Sequence, residues 1–158
     1  MKTLILLRHA KSEAPSILKK DFNRNLKTKG IDNIHAVAKI FLEYNIQPDI
    51  VLCSSANRTI ETIAEFQKAI NTVYNVQYME ALYHASASNI LEIIQNQDSK
   101  ADVVMVVGHN FGISELALYL GEEACPELPT SGLVVFQFTK QIHAGEGKCL
   151  HFITPKTI

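Results

Sequence analysis

Three short stretches hold the residues able to do chemistry: Arg8–His9, Arg58 and His109. Each closes an apolar run. Leu4–Leu7 ends in Arg8–His9, Ile50–Cys53 leads through Ser54–Ser55–Ala56–Asn57 to Arg58, and Val103–Val107 ends in Gly108–His109–Asn110. Runs of this length read as strands buried on both faces, and an arginine or histidine does not continue into a core without a partner. If the three strand ends meet at one sheet edge, where open α/β sheets keep their ligands, two guanidiniums and two imidazoles ring one pocket. Forked guanidinium N–H groups suit a tetrahedral phosphate, and the helix starts near Arg58 and Asn110 add backbone donors. A neutral imidazole with one nitrogen held by a backbone acceptor offers its other lone pair, and flanking arginines disfavour the imidazolium. The set therefore predicts phosphoryl transfer. His9 is the nucleophile, Arg8 and Arg58 grip phosphate, His109 donates to a nonbridging oxygen as charge builds, and water releases the group from His9. No metal or other cofactor is expected, because the arginines supply positive charge. Glu80, just past a short strand, is the candidate general acid, with Asp21 and Glu13 as rivals. Ser12 bonds either the phosphate or its own turn.

The elements that must position these residues follow from periodicity. A first strand is expected over about residues 3–8, then a long loop over 10–27, and long loops in compact domains are often functional. Thr28–Gly30 lead into a helix facing inward with Ile31, Ile34, Val37, Ala38 and Phe41. After the second strand, Ser54 or Ser55 is expected to cap a helix whose inner face is Ile60, Ile63, Ala64 and Ile70. A short strand spans Val76–Met79. Ser86 or Ser88 caps a third helix with Ala87, Ile90, Leu91 and Ile94 inward. Asn110 caps a fourth, carrying Ile113, Leu116, Ala117 and Leu120. Leu133–Phe138 and Lys148–Ile153, flanking Gly145 and Gly147, read as a hairpin. Alternating strands and helices imply a three-layer αβα architecture with a mostly parallel central sheet, in a single domain over 1–158.

The whole-chain properties narrow the function classes. The 158 residues carry 47% hydrophobic and 20% charged residues and a formal net charge of −1. That composition is ordinary for a soluble domain and gives no pull toward nucleic acid or acidic membrane. The four apolar residues after Thr3 are too few for a signal-peptide core or a membrane span, so a cytoplasmic location is expected. Cys53, Cys125 and Cys149 lack metal spacing and read as reduced thiols, Cys53 in a buried strand and Cys125 in a loop. His35, His84, His143 and His151 lack ligand spacing too; His84 stands out by sharing a loop with Glu80.

These blocks resemble the histidine phosphatase superfamily, the phosphoglycerate-mutase-like group. Arg8–His9–Ala10 matches its N-terminal Arg-His-Gly, with Ala10 in place of the glycine. Ser54–Ser55–Ala56–Asn57–Arg58–Thr59–Ile60–Glu61–Thr62 matches its serine-rich turn and Arg-Thr-x-Glu-Thr, and Gly108–His109–Asn110 completes the set. Arg-His-Ala, the stretch Asp21–Gly30 and Pro129–Thr130–Ser131–Gly132 are similar to the small SixA-type phosphohistidine phosphatases. The resemblance implies a phosphoglycerate-mutase-like fold, a catalytic His9, and phosphate ligands Arg8, Arg58 and His109, with Arg24 as a further contact. It also implies a shallow site open to a phosphorylated protein, such as a histidine phosphotransfer protein. Asn25 stands where the subgroup often has proline. A phosphohistidine leaves as imidazole, so Glu80 is less needed there.

Three other readings compete. A cysteine phosphatase built on Cys53 and Arg58 is rejected, because only four residues separate them and none is glycine. A small-molecule phosphomonoesterase of the same fold is the principal alternative. A phosphate- or phosphoprotein-binding module without turnover has no need of a nucleophilic histidine.

Overall fold

The computed structural model describes residues 1–97 and 100–157. Its elements are β1 (Lys2–Arg8), α1 (Thr28–Leu42), β2 (Ile50–Ser54), α2 (Asn57–Ala69), β3 (Val76–Met79), α3 (Ala87–Gln95), β4 (Val103–Gly108), α4 (Gly112–Leu120), β5 (Leu133–Phe138) and β6 (Lys148–Ile153). Single 3-10 turns cover Asp21–Asn23, Glu80–Leu82 and Pro155–Thr157.

The strands form one sheet in the order β3-β2-β4-β1-β5-β6. The first four in that order run parallel, while β5 is antiparallel to β1 and β6 antiparallel to β5. β1 is central, and its side chains alternate between faces as strand geometry requires. Leu4 and Leu6 pack with Ile90 and Ile94 of α3 and with Ile113, Leu116, Ala117 and Leu120 of α4. Ile5 and Leu7 pack with Ile34, Val37, Ala38 and Phe41 of α1 and with Ile63 and Phe66 of α2. Helices thus cover both faces, giving the expected three layers, and the late hairpin closes one edge. No helix among the described residues is long and apolar enough to cross a membrane.

Several expected details differ. Neither Ser54 nor Ser55 caps α2; Ala56 precedes it without a side-chain cap. The Ser54 hydroxyl accepts from the Ala56 N–H and faces His109 instead. The buried face of α2 is Arg58, Thr59, Thr62, Ile63 and Phe66, whereas Ala64 is exposed and Ile60 and Ile70 are only half-buried. Here the threonines turn inward to bond backbone at the strand ends, which rotates the face relative to its isoleucines. Asn110 does not cap α4, which starts at Gly112 after Phe111. The Asn110 amide donates to the Leu128 carbonyl and its oxygen accepts from Ser114, which ties down the loop before β5. Ser86 does cap α3, accepting from the Asn89 N–H at 3.2 Å.

Candidate active site

Because β1, β2 and β4 are parallel neighbours, their C-terminal ends share one edge, with Arg8 paired opposite Gly108. Beyond β1 the backbone is clamped on both sides. The His9 N–H donates to the Gly108 carbonyl at 3.1 Å, and the His9 carbonyl accepts from the Ser131 N–H at 3.0 Å. The Ala10 N–H donates to Thr62 Oγ1 at 2.9 Å, and that hydroxyl donates to the Arg58 carbonyl. Thr62 therefore fixes the first turns of α2 against the end of β1.

His9 is buried, with Nδ1 2.7 Å from the Ala10 carbonyl. A carbonyl only accepts, so the proton sits on Nδ1 and the lone pair on Nε2. Burial, aided by the charges of Arg58, Arg8 and Arg24, lowers its pKa to about 4 against the raising effect of that hydrogen bond. The ring is neutral at pH 7. The His109 ring lies 5.3 Å from it, tilted by 52°. His109 Nε2 is 2.8 Å from Ser54 Oγ. Burial first, then His9, Arg58 and His84, lower its pKa to about 2.

Arg58 is 2% exposed. Its guanidinium donates to the Asp21 carbonyl at 2.8 Å and to Asp21 Oδ2 at 3.1 Å, and lies 5.8 Å over the Tyr83 ring. Arg8 donates from Nη1 to the Leu128 carbonyl at 3.1 Å. Among the described residues, the buried side-chain polar atoms without a hydrogen-bond partner are Arg8 Nε, Arg58 Nε, His109 Nδ1 and Ser131 Oγ. Each such atom costs roughly 1–3 kcal/mol when left unsatisfied, and a binding or catalytic role is one explanation for it. Here all of them belong to residues of this one edge, and three are nitrogens suited to an oxyanion.

The remaining candidates fall into two groups. Arg24 and Ser12 join the rim through the long loop. Arg24 donates to Asp21 Oδ1 at 2.9 Å, to Ser12 Oγ at 3.2 Å and to the Glu13 carbonyl at 2.6 Å. Glu13 pairs with Lys19 at 3.1 Å and turns back into its own loop. Glu80 is exposed just past β3, and its side chain makes no hydrogen bond or ion pair among the described residues. The structure does not tie it to the histidine–arginine cluster. Cys53 is buried in β2, where burial pushes its thiol up to about 12; a thiol so protonated is no nucleophile.

Asp21, only a rival in the sequence reading, is the hub of the rim. Its carboxylate accepts from Arg24, Arg58 and the Tyr83 hydroxyl, and lies 3.2 Å from His84 Nε2. Burial alone would raise its pKa, but Tyr83, Arg58 and Arg24 together hold it well below the usual carboxylate range. It is an acceptor that positions arginines, and it has no proton to give near neutral pH. Sequence reasoning also gave no site role to Tyr83, Thr62, Ser54 or Ser131, although the last three lie in its quoted motifs. The available signal was local, since Tyr83–His84 is an aromatic–imidazole pair just past a strand end.

A sequence profile of the histidine phosphatase superfamily (branch 1) matches residues 4–87. An uncharacterised protein of Mycobacterium tuberculosis is 32% identical over 142 residues, spanning 83% of this chain and 86% of its own. An uncharacterised chloroplast protein of Arabidopsis thaliana is 32% identical over 126 residues. The match covers 74% of this chain, which spans only 58% of that longer relative. Among solved structures, a protein of Agrobacterium tumefaciens assigned as the phosphohistidine phosphatase SixA superposes with a TM-score of 0.81 at 27% identity, covering 98% of both chains. The protein histidine phosphatase SixA in complex with tungstate gives 0.84 at 19% identity over 98% of both, a likeness of fold. With the profile match reaching from β1 past β3 and the Arg–His, Arg and Gly–His blocks at one sheet edge, this chain belongs to the histidine phosphatase superfamily and is SixA-like.

Proposed function

We propose that the chain is a phosphohistidine phosphatase that removes phosphate from a protein through a covalent phosphohistidine on His9. The observation that carries this reading is the His9 imidazole, which is buried and neutral, has its proton held at Nδ1 by the Ala10 carbonyl, and lies among arginines. In the first step the Nε2 lone pair attacks phosphorus and the bond to the leaving imidazole breaks, its electron pair staying on that nitrogen. In the second, water attacks the phosphoryl group, inorganic phosphate departs, and the electron pair returns to His9 Nε2. Arg8 and Arg58 hold the nonbridging oxygens. A His109 ring that accepts from Ser54 at Nε2 carries its proton on Nδ1, and that N–H donates to the same oxygens as charge develops. Ser12 and Arg24 act at the rim. The guanidinium charge suffices for this chemistry without a metal.

A protein substrate is supported by the names of the SixA structures and by the rim itself. Phe111, two residues past His109, is 71% exposed, and Ile17 and Leu18 of the long loop are fully exposed. Phe111 thus offers an apolar side chain to a docking protein next to His109. The expected partner is a phosphorylated phosphorelay protein, such as a histidine phosphotransfer protein, in the cytoplasm. Initial rates on a phosphohistidine protein and on an aryl phosphate, with a chelator present, test the assignment. Preference for the phosphohistidine protein is expected. Turnover of the ester alone would move the function to small-molecule hydrolysis, and loss of activity on chelation would overturn metal independence.

A further inference from the structure

We infer that His84 is a catalytic residue, the proton donor to the leaving group, and that through it the site also cleaves phosphate esters of alcohols. This rests on the phosphatase reading above and extends its substrate class. The geometry begins with Asp21. His84 Nε2 lies 3.2 Å from Asp21 Oδ2, so an imidazolium at this position donates Nε2–H to the carboxylate and keeps Nδ1–H for the substrate. A carboxylate behind an imidazole orients the ring and fixes which nitrogen faces the substrate. The His84 ring is 5.6 Å from that of His109, and His109 is 5.3 Å from His9. The three imidazoles therefore line the same edge. An in-line attack by His9 sends the leaving atom away from His9. The His84 side chain is 55% exposed and so within reach of a departing alcohol, unlike the buried His9 and His109.

The other acids nearby are unsuited. Asp21 is held ionised, the Tyr83 hydroxyl is committed to Asp21 Oδ2, and Glu80 makes no hydrogen bond or ion pair with the cluster among the described residues. The charged and titratable groups facing His84 are Asp21, Tyr83, His109 and, through Asp21, Arg58 and Arg24.

His9 Nε2 bonds phosphorus as the P–O bond to the ester oxygen breaks. That oxygen keeps the electron pair and takes the Nδ1 proton of His84, which becomes neutral. Water then gives its proton to His84 while its oxygen bonds phosphorus, the P–N bond breaks, and His84 is again an imidazolium. A phosphohistidine protonated on its other ring nitrogen departs as neutral imidazole, so it depends on His84 far less than an ester does.

His84→Asn tests this, because asparagine tolerates the left-handed backbone found there (φ 54°). Values of kcat/KM are measured across nitrophenyl, phenyl and alkyl phosphates. The expected loss grows along the series, from a few-fold with nitrophenyl phosphate to about 100-fold or more with alkyl phosphates. A uniform loss across the series marks a structural role and overturns the assignment, as does no loss. A graded loss in Glu80→Gln instead returns the role to Glu80. His84→Gln provides a second variant should the first fail to fold. A wild-type enzyme that forms no phosphoenzyme on His9 sinks the phosphatase reading itself, whereas one that forms it, with a flat series in both His84 variants, sinks only the role of His84.

Discussion

The position of single protons decides what each side chain at this edge can do. His9 is kept neutral by burial and by three arginines, with a pKa of about 4 against an ordinary 6.5. Between those values the unfolded chain holds a proton that the folded chain does not, so stability rises with pH across that window. Acidification from pH 7 to pH 5 should cost about 2 kcal/mol from His9, with His109 acting in the same direction. Asp21, also lowered, adds a loss only below the usual carboxylate range. Urea unfolding at both pH values checks this: the wild type should lose stability and His9→Asn should lose less. Equal wild-type stability at the two pH values would contradict the burial argument. Arg58→Ala removes charged hydrogen bonds worth roughly 1.5–3 kcal/mol each, so kcat/KM should fall at least about 10-fold and inhibition by inorganic phosphate should weaken. Arg58→Lys should rescue little, because lysine lacks the fork; full rescue would show that charge alone suffices.

Elements act here by holding loops at fixed distances. Gly112 opens α4 against the turn that bears Tyr83 and His84, and a Cβ there would run into the Ala85 carbonyl oxygen. Gly112→Ala should therefore lower stability by roughly 1–3 kcal/mol and reduce turnover by displacing that turn. At Gly108 a Cβ meets nothing nearer than Ile113 Cδ1 at 3.7 Å, so Gly108→Ala should melt close to the wild type. Thermal melts of the two variants separate the cases, and similar melting temperatures would contradict the close-approach argument. Thr62→Val leaves the Ala10 N–H unpartnered in the core and should cost about 1–3 kcal/mol; an unchanged melt would show that the clamp is dispensable. The strands and helices were readable because their apolar periods are strong, and the strand ends then placed Arg8, His9, Arg58 and His109 together. The caps of α2 and α4 were not readable, since Ser54 and Asn110 bond tertiary partners rather than their own helices. The α2 face was misread because inward threonines look polar in sequence. Asp21 was only a rival because the long loop has no period to say where its carboxylate lands.

At the scale of the molecule, four parallel strands bring three strand ends to one edge, and residues of the 9–27 loop, the 83–86 turn and the 129–132 turn bond to one another and to the site residues there. The late antiparallel hairpin contributes through its approach: Ser131 and Gly132 hold the backbone of Arg8 and His9. The net charge of −1 supplies no general attraction for anions, so the proposed recognition of phosphate rests on the local arginines. The central claim is that the phosphoryl group passes through His9. Rapid quenching into base during turnover of a phosphohistidine protein, followed by mass spectrometry of the peptide containing residue 9, tests it most directly. A phosphoryl group on His9 that forms and decays at the turnover rate, together with an inactive but folded His9→Ala, is the predicted result. Turnover by His9→Ala, or a phosphoryl group trapped on another residue, would contradict it.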